Sequence, residues 1–307
     1  MSQTIPTKRG CRYWRNLGLF ALLASFMGFL FFLYVGHPYF YSRGWAHPNS
    51  PAVCCVTPAD RGFDYQSASF VTRDGLTLRG WYIPSQNGAA IILAHGMGAN
   101  RLAVLDTAEV LARNGYGVLM FDLRAHGESD GDLLPFGGDE AEDLYAAANF
   151  LAGQPGVEPG RIGAMGFSLG AQVSILGTMR TEAIRALVAD APCCTTFEDM
   201  PAPHTLGDWL WVPYDLVFFW MLHWHTGVPE PVSVQEAIGT LAPRPILLIG
   251  GGSERNLLQH HMDAAQEPKE LWIIPEAGHI GGLSARPEEY EERVVGFFDK
   301  WLFDQGP

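Results

Sequence analysis

Residues 162–179 read IGAMGFSLGAQVSILGTM. The beginning of this stretch, Ile162 to Met165, is a short apolar run typical of a buried strand, and the part after Gly170 has the apolar spacing of a helix. Between them, Gly166-Phe167-Ser168-Leu169-Gly170 matches the pattern of a nucleophile elbow. Small residues at such a turn permit close backbone approach, and the N-terminus of the following helix favours negative charge. The stretch therefore predicts Ser168 as a nucleophile on a sharp strand-to-helix turn.

Short apolar runs alternate with helix-length segments on both sides of this stretch. The runs lie at residues 90–94, 118–121, 186–189, 246–249 and 271–274, and the helical segments at about residues 102–114, 140–151, 171–179 and 287–302. Nearly continuous apolar strands between helices indicate a parallel sheet with both faces covered. Ahead of them, Asp74-Gly75 separates two strand-like runs and predicts a two-residue hairpin turn. The predicted fold class is α/β, with a mostly parallel, doubly covered sheet.

A serine nucleophile needs a base, which we expect in a loop after the last strand, where Ala277-Gly278-His279 lies. The loop after the preceding strand carries Glu254, so the chain has the order serine, acid, histidine. The acid would fix the imidazole tautomer and stabilise the imidazolium formed during attack. Asp190, at the end of the strand after the elbow helix, is the alternative acid.

An oxyanion that forms at the serine needs backbone N–H donors. We expect these donors at Leu169, directly after the nucleophile, and at Met97, in the loop after the first parallel strand. Met97 belongs to His95-Gly96-Met97-Gly98, whose glycines allow the chain to turn tightly toward the site. The alternative interpretation of these four residues is an ordinary turn that ends a strand.

From about residue 67 to the C-terminus, the sequence resembles the α/β-hydrolase superfamily. His95-Gly96-Met97-Gly98 is similar to its oxyanion loop, and residues 122–129, DLRAHGES, resemble its D-x-R-x-H-G-x-S segment. The elbow, Glu254 and His279 complete the set of motifs. The resemblance implies that residues 122–129 are structural, so we assign no catalytic role to His126. The chain departs from the family in having Glu254 where aspartate is commoner, after the glycine-rich loop 250–253.

Residues 17–35 are apolar and carry no charged side chain, and a helix of this length crosses a hydrocarbon core of about 30 Å. Basic residues precede the segment at Lys8, Arg9, Arg12 and Arg15, whereas only Arg43 follows closely. This bias predicts a single-pass anchor with a cytoplasmic N-terminus and the rest of the chain on the outer, periplasmic or extracellular, side. The alternative is a cleaved signal peptide, but the apolar segment is longer than the usual signal core.

The predicted organisation is a cytoplasmic N-terminus at residues 1–16, the anchor at 17–35, a tether at 36–66 and a hydrolase domain at 67–307. A helical cap is inserted in the domain at about residues 192–242 and contains a dense aromatic segment. We expect an apolar acyl pocket lined by Trp209, Trp211, Phe218 and Trp220. The alternative is that these aromatic side chains only pack the cap onto the sheet.

The net charge of −13 excludes a nucleic-acid partner, because phosphate binding needs a basic face and no basic cluster follows the N-terminus. Two adjacent cysteine pairs, Cys54-Cys55 and Cys193-Cys194, fall on the predicted outer side. A bridge between the pairs and adjacent unbridged thiols both fit the sequence. The spacing does not suit zinc, and no metal or cofactor is predicted.

These features together predict a membrane-anchored serine hydrolase that cleaves a carboxylic ester or thioester through an acyl-serine intermediate. Its partners would be a small-molecule acyl ester, with a lipid ester as one option, and the membrane. A serine peptidase or amidase and an acyltransferase would share the same residues. A catalytically inactive, membrane-tethered binding protein on the same fold is the alternative of a different class.

Overall fold

The computed structural model describes residues 8–228 and 231–303. Residues 1–7 of the predicted cytoplasmic segment and residues 304–307 of the predicted domain lie outside the described residues. Ten α-helices occupy Lys8–Phe31 (α1), His37–Ala46 (α2), Leu105–Arg113 (α3), Ala141–Ala152 (α4), Leu169–Met179 (α5), Leu206–Thr226 (α6), Val234–Gly239 (α7), Arg255–Ala264 (α8), Gly282–Ala285 (α9) and Pro287–Leu302 (α10) within this part of the chain. The strands are Gln66–Val71 (β1), Thr77–Ile83 (β2), Ala90–Ala94 (β3), Gly117–Phe121 (β4), Ile162–Phe167 (β5), Ile184–Asp190 (β6), Ile246–Gly251 (β7) and Lys269–Ile274 (β8).

The eight strands form one sheet in the order β1-β2-β4-β3-β5-β6-β7-β8. The pairs β1–β2 and β2–β4 are antiparallel, and the remaining pairs are parallel. One hydrophobic core includes Leu144 and Leu176 on one face of the sheet, and the other includes Leu111 and Phe298. The predicted α/β class and the mostly parallel, doubly covered sheet are confirmed. Because parallel strands end at one edge, the loops after β3, β5, β7 and β8 meet there.

The turn between β1 and β2 is longer than the predicted two-residue hairpin. Thr72 N–H donates to Leu76 O at 2.9 Å, which leaves Arg73, Asp74 and Gly75 in the turn. Gly75 has a φ of +91°, as expected for the last residue of a three-residue hairpin loop.

A continuous helical segment begins the described chain. Helix α1 passes through a short π-helical turn at Phe32–Gly36 into α2. The stretch Arg12–Ala46 is long and apolar enough to cross a membrane, with a mean hydropathy of 2.2 in its most apolar part, a property that signal sequences share. The apolar segment predicted at residues 17–35 is thus helical.

The segment predicted to be a tether differs from that expectation in its first half. Residues 37–46 form α2, which packs along α6 through pairs such as Trp45 on Phe218. Beyond α2, Ser50 Oγ–H donates to Ala99 O at 2.6 Å, and Asn100 donates to Pro51 O at 3.0 Å. Proline and glycine suggested a linker, but Pro38 lies at the start of α2, directly after the π-helical turn at Phe32–Gly36. This stretch is therefore packed onto the domain.

The predicted cap contains the long helix α6 and the short helix α7. Helix α6 begins at a capping box, in which Thr205 and Asp208 bond each other's backbone N–H, and ends at Gly227 with a φ of +70°.

The cysteines do not bridge the two pairs. Cys54 and Cys55 form a disulfide with each other, and Cys193 and Cys194 are free thiols. Of the two arrangements that the sequence allowed, the bridge between pairs is therefore wrong, and adjacent thiols occur only at Cys193 and Cys194.

Candidate active site

Ser168 lies on a strained turn between β5 and α5. Its φ of 53° and ψ of −114° form a backbone conformation that residues with a side chain rarely adopt. A Cβ atom at Gly166 would lie 2.1 Å from Gly170 O, and one at Gly170 would lie 2.1 Å from Ala94 O. Both glycines are therefore required for close approach of the turn to β3 and α5.

The structure brings Ser168, His279 and Glu254 together. Ser168 Oγ lies 2.8 Å from His279 Nε2, and His279 Nδ1 lies 2.5 Å from Glu254 Oε1. Because a carboxylate only accepts, the Nδ1 atom carries the proton and Nε2 is free to accept from the serine hydroxyl. His279 comes from the loop after β8 and Glu254 from the turn after β7, so the sheet edge assembles the three side chains.

The pKa values of Glu254 and His279 both differ from the ordinary values of these side chains. Burial raises the pKa of Glu254, but hydrogen bonds from His279 and from Gly251 N–H, the latter at 2.7 Å, bring its pKa below the ordinary value. The hydrogen bond to Glu254 raises the pKa of His279 above its ordinary value, against the opposing effect of partial burial. A carboxylate beside an imidazole thus favours the imidazolium form.

Asp190, the alternative acid, bonds another residue. Its Oδ2 accepts from Tyr290 Oη–H at 2.6 Å, and no hydrogen bond joins it to His279 in the described part of the chain. Burial raises the pKa of Asp190 to about 6. The geometry therefore favours Glu254 over Asp190 as the partner of His279.

The loop of Gly96 and Met97 lies directly against the elbow. A Cβ atom at Gly96 would lie 3.5 Å from Ser168 Cβ. Two buried histidines hold this loop: His95 Nδ1–H donates to Gly96 O at 2.8 Å, and His126 Nε2 accepts from Gly98 N–H at 3.2 Å. Burial lowers the pKa of His95 to about 3 and also lowers that of His126, so both rings are neutral at pH 7. His126 thus braces the loop that contains Met97.

Two cavities border Ser168 and His279. The smaller cavity measures about 220 Å³ and is lined by Trp45, Met97, Phe136, Leu169, Gln172 and Cys193 in addition to the serine and histidine. The larger cavity measures about 390 Å³ and extends on the other side toward Val104, Thr107 and Leu283. Met97 lines both. In the described ranges, no group of three histidine, cysteine or acidic side chains is arranged to hold a metal ion.

The aromatic residues predicted to line the acyl pocket do not do so. Trp209, Trp211 and Trp220 are 60%, 53% and 66% exposed, and neither cavity at Ser168 includes them among its described lining residues. Phe218 is buried and packs on Trp45, with ring centroids 5.2 Å apart. The reason is that α6 turns only one face inward, toward α2, and the three tryptophans lie on other faces.

Sequence reasoning missed Trp45 and Phe136, whose rings stack with centroids 5.4 Å apart at the smaller cavity. Trp45 lay in the segment predicted to be a tether, and Phe136 in a loop. The one available signal was the aromatic cluster around Trp45, which equally suits a membrane interface.

The sequence of this chain matches a model of a known protein family. The model described as X-Pro dipeptidyl-peptidase (S15 family) matches residues 38–205, which is more than half of the chain and includes the elbow. The chain belongs to this family of α/β-hydrolases. The match ends before Glu254 and His279.

Other proteins are similar to this α/β-hydrolase over most of its length or over about half of it. It is 31% identical over 296 residues to the uncharacterized protein Rv2307c of Mycobacterium tuberculosis, covering 93% of this chain and 92% of that protein. A solved structure, the Pyrococcus furiosus esterase Pf2001, is similar with a TM-score of 0.66 and 28% identity, over 84% of this chain and 100% of the esterase. Over 150 residues, 47% of this chain and 46% of its relative, it is 35% identical to the thiohydrolase aneE of Aspergillus aculeatus. This similarity, with the fold, identifies the chain as a hydrolase.

Proposed function

We propose that this α/β-hydrolase cleaves a carboxylic ester or thioester through an acyl-serine intermediate. The observation that carries the proposal is the 2.8 Å contact between Ser168 Oγ and His279 Nε2, with His279 bound in turn to Glu254. A serine hydroxyl is a weak nucleophile unless a base accepts its proton, and this geometry provides the base.

In the first half of the reaction, Ser168 Oγ attacks the carbonyl carbon while His279 Nε2 takes the hydroxyl proton. The oxygen that becomes negative is bound by the N–H groups of Met97 and Leu169. The bond to the leaving alcohol or thiol then breaks, and the imidazolium returns its proton to that group. In the second half, a water molecule gives a proton to His279 Nε2 and attacks the acyl carbon. The bond between that carbon and Ser168 Oγ then breaks, His279 passes its proton to Oγ, and the acid is released. Glu254 holds the imidazole in the required tautomer throughout.

The lining of the smaller cavity supports an acyl group as the part of the substrate bound there. Trp45, Phe136, Met97 and Leu169 provide apolar walls, and no carboxylate belongs to the described lining. A dipeptidyl-peptidase must bind a free N-terminal ammonium beside an anionic group, and the described lining of the smaller cavity has none, whereas the larger cavity has Asp106 in its lining. The similarity to an esterase and to a thiohydrolase agrees with the acyl interpretation.

The N-terminal helix supports membrane anchoring of this hydrolase. The apolar residues 17–35 lie in α1 and in the turn after it, and the basic residues before them favour a cytoplasmic N-terminus. The domain would then act on the outer side of the membrane. A signal peptide cleaved before α2 would leave the domain unanchored on the same side.

Acyl chain length provides a direct test of the proposed function. We expect the purified full chain in detergent to hydrolyse p-nitrophenyl esters of short to medium acyl chains, and to leave an X-Pro dipeptide p-nitroanilide uncut.

Replacing Trp45 by alanine removes one wall of the smaller cavity, so the preferred acyl chain should lengthen by two or more carbons. The kcat/KM for the longer esters should rise about tenfold. Tyr65→Ala, an aromatic truncation on the other face of the sheet, is the control. Peptide cleavage without ester cleavage would decide for a peptidase.

The pH dependence of kcat/KM tests the base. His279 must be neutral to accept the proton, and its pKa is raised by Glu254, so activity should fall as the pH drops through a value above the ordinary 6.5 or so. In Glu254→Gln, the carboxylate is lost, the pKa of His279 decreases, and the acidic limb should move to lower pH. If the acidic limb of the kcat/KM profile does not shift in Glu254→Gln, then a group other than His279 controls that limb.

A further inference from the structure

Helix α6 carries an exposed apolar stripe that neither the sheet nor α2 covers. The stripe consists of side chains spaced three or four residues apart along one side of the helix: Leu206, Trp209, Leu210, Pro213, Leu216, Trp220 and Trp224. All seven are exposed and none is charged. The opposite side, including Phe218 and Leu222, is buried. A run of tryptophan and leucine over five helical turns is far larger than the scattered exposed apolar residues of an ordinary soluble surface.

The stripe is continuous with the surface of the segment proposed to cross the membrane. Tyr34 Oη–H, at the end of that segment, donates to Leu210 O at 3.0 Å, and His37 contacts Tyr214 Oη at 2.8 Å. Four residues further along both helices, Tyr41 packs on Phe218. Helices α2 and α6 therefore run side by side in the same direction, and the stripe begins level with the end of the apolar segment.

The amino-acid composition of the stripe favours contact with lipid over burial in a protein interior. Tryptophan side chains prefer the boundary between hydrocarbon and headgroups, because the ring is apolar and its N–H can reach water. The carboxylate of Asp208 lies off the stripe, where the backbone N–H groups of His204 and Thr205 bind it at 2.9 and 2.8 Å. Nearby on α2, Phe40 is also exposed and extends the same apolar surface.

We propose that the start of the stripe, at Leu206, Trp209 and Leu210, is a second membrane contact, in which the first turns of α6 lie against the phospholipid of the outer leaflet beside the end of the apolar segment. This inference rests on the proposed anchoring and extends the proposed function to its substrate class. The inward Phe218 contacts Trp45, and Trp45 lines the smaller cavity. The helix that would contact lipid at its first turns therefore also contacts a wall of the acyl site, and the substrates are acyl esters dissolved in the membrane.

Photolabelling of the full chain in phosphatidylcholine vesicles tests the contact. The probe is a phospholipid with a diazirine on its acyl chain, and labelled peptides are located by mass spectrometry. We expect label in α1 and in α6, and none in α10, whose outer face is charged. Label in α1 alone would overturn the inference while leaving the anchor in place. Label in neither helix would overturn both, and cross-links between two copies of α6 in place of lipid would also overturn it.

A matched pair of variants separates lipid contact from general damage. Leu210 is 65% exposed on the stripe, and Val71 is 63% exposed on β1, the strand at one edge of the sheet. In Leu210→Glu, we expect labelling of α6 and hydrolysis of a vesicle-borne acyl ester to fall at least fivefold, with hydrolysis of soluble p-nitrophenyl acetate unchanged. Val71→Glu should change none of these. Equal losses in both variants, or no loss in Leu210→Glu, would contradict the proposal.

Discussion

Replacing Ser168 by alanine should abolish labelling of the chain by a fluorophosphonate probe and reduce kcat for ester hydrolysis by about 10⁶-fold, the scale seen when such a serine is removed elsewhere. The reason is that Oγ is the atom that bonds the acyl carbon, so its loss removes the covalent route and leaves only backbone donors near a bound ester.

The fold of this variant should survive. Alanine keeps the Cβ atom, so the backbone strain at a φ of 53° is the same as with serine, and only the hydrogen bond to His279 is lost. That bond contributes about 1 kcal/mol to the free energy of unfolding. Circular dichroism and thermal unfolding check this point.

Ser174→Ala is the matched control for Ser168→Ala. Ser174 is a buried serine in α5, the helix that begins directly after Ser168, and its Oγ has no hydrogen-bond partner among the described residues. We expect labelling and activity to be retained in this control. Persistent labelling of Ser168→Ala would contradict the assignment of the nucleophile.

Replacing Glu254 by glutamine should reduce kcat by about 10⁴-fold, whereas Asp190→Asn should reduce it less than about tenfold. An amide at residue 254 can donate to Nδ1 and so favours the wrong imidazole tautomer. It also removes the charge that stabilises the imidazolium. In Asp190→Asn, the amide oxygen could still accept from Tyr290, the partner that Asp190 has in the structure.

The comparison of these two variants discriminates between the acids under identical assay conditions. Since Asp190 is buried, its substitution can also affect folding, and the fraction of folded protein is measured for each variant before rates are compared. A large loss in Asp190→Asn together with a small one in Glu254→Gln would reverse the assignment.

The nucleophile turn was predictable from sequence because its physical requirements are local. Gly166 and Gly170 must be small to let backbone atoms approach, and the strand before and the helix after are short-range patterns. Glu254 and His279 followed from topology, since loops after parallel strands converge at one edge. The structure brings these side chains together, and their catalytic roles stay predictions.

The pocket wall was not predictable from sequence for two physical reasons. Helix α6 is apolar on both faces, so its periodicity gives no indication of which side is buried, and Trp209, Trp211 and Trp220 were placed inside when they are exposed. Trp45 reaches the smaller cavity only because α2 packs on α6. A local sequence pattern does not indicate a contact between segments that are so far apart in the chain.

The continuity of α1 with α2 also has a consequence for how this protein can change over evolutionary time. The helical segment that we propose as the anchor continues to Ala46 and includes Trp45, which lines the smaller cavity and which we propose as a wall for the acyl group. Recombination that replaced the chain up to residue 46 would therefore alter location and selectivity in a single event. An exchange that stopped before His37 would relocate the enzyme and leave its selectivity intact.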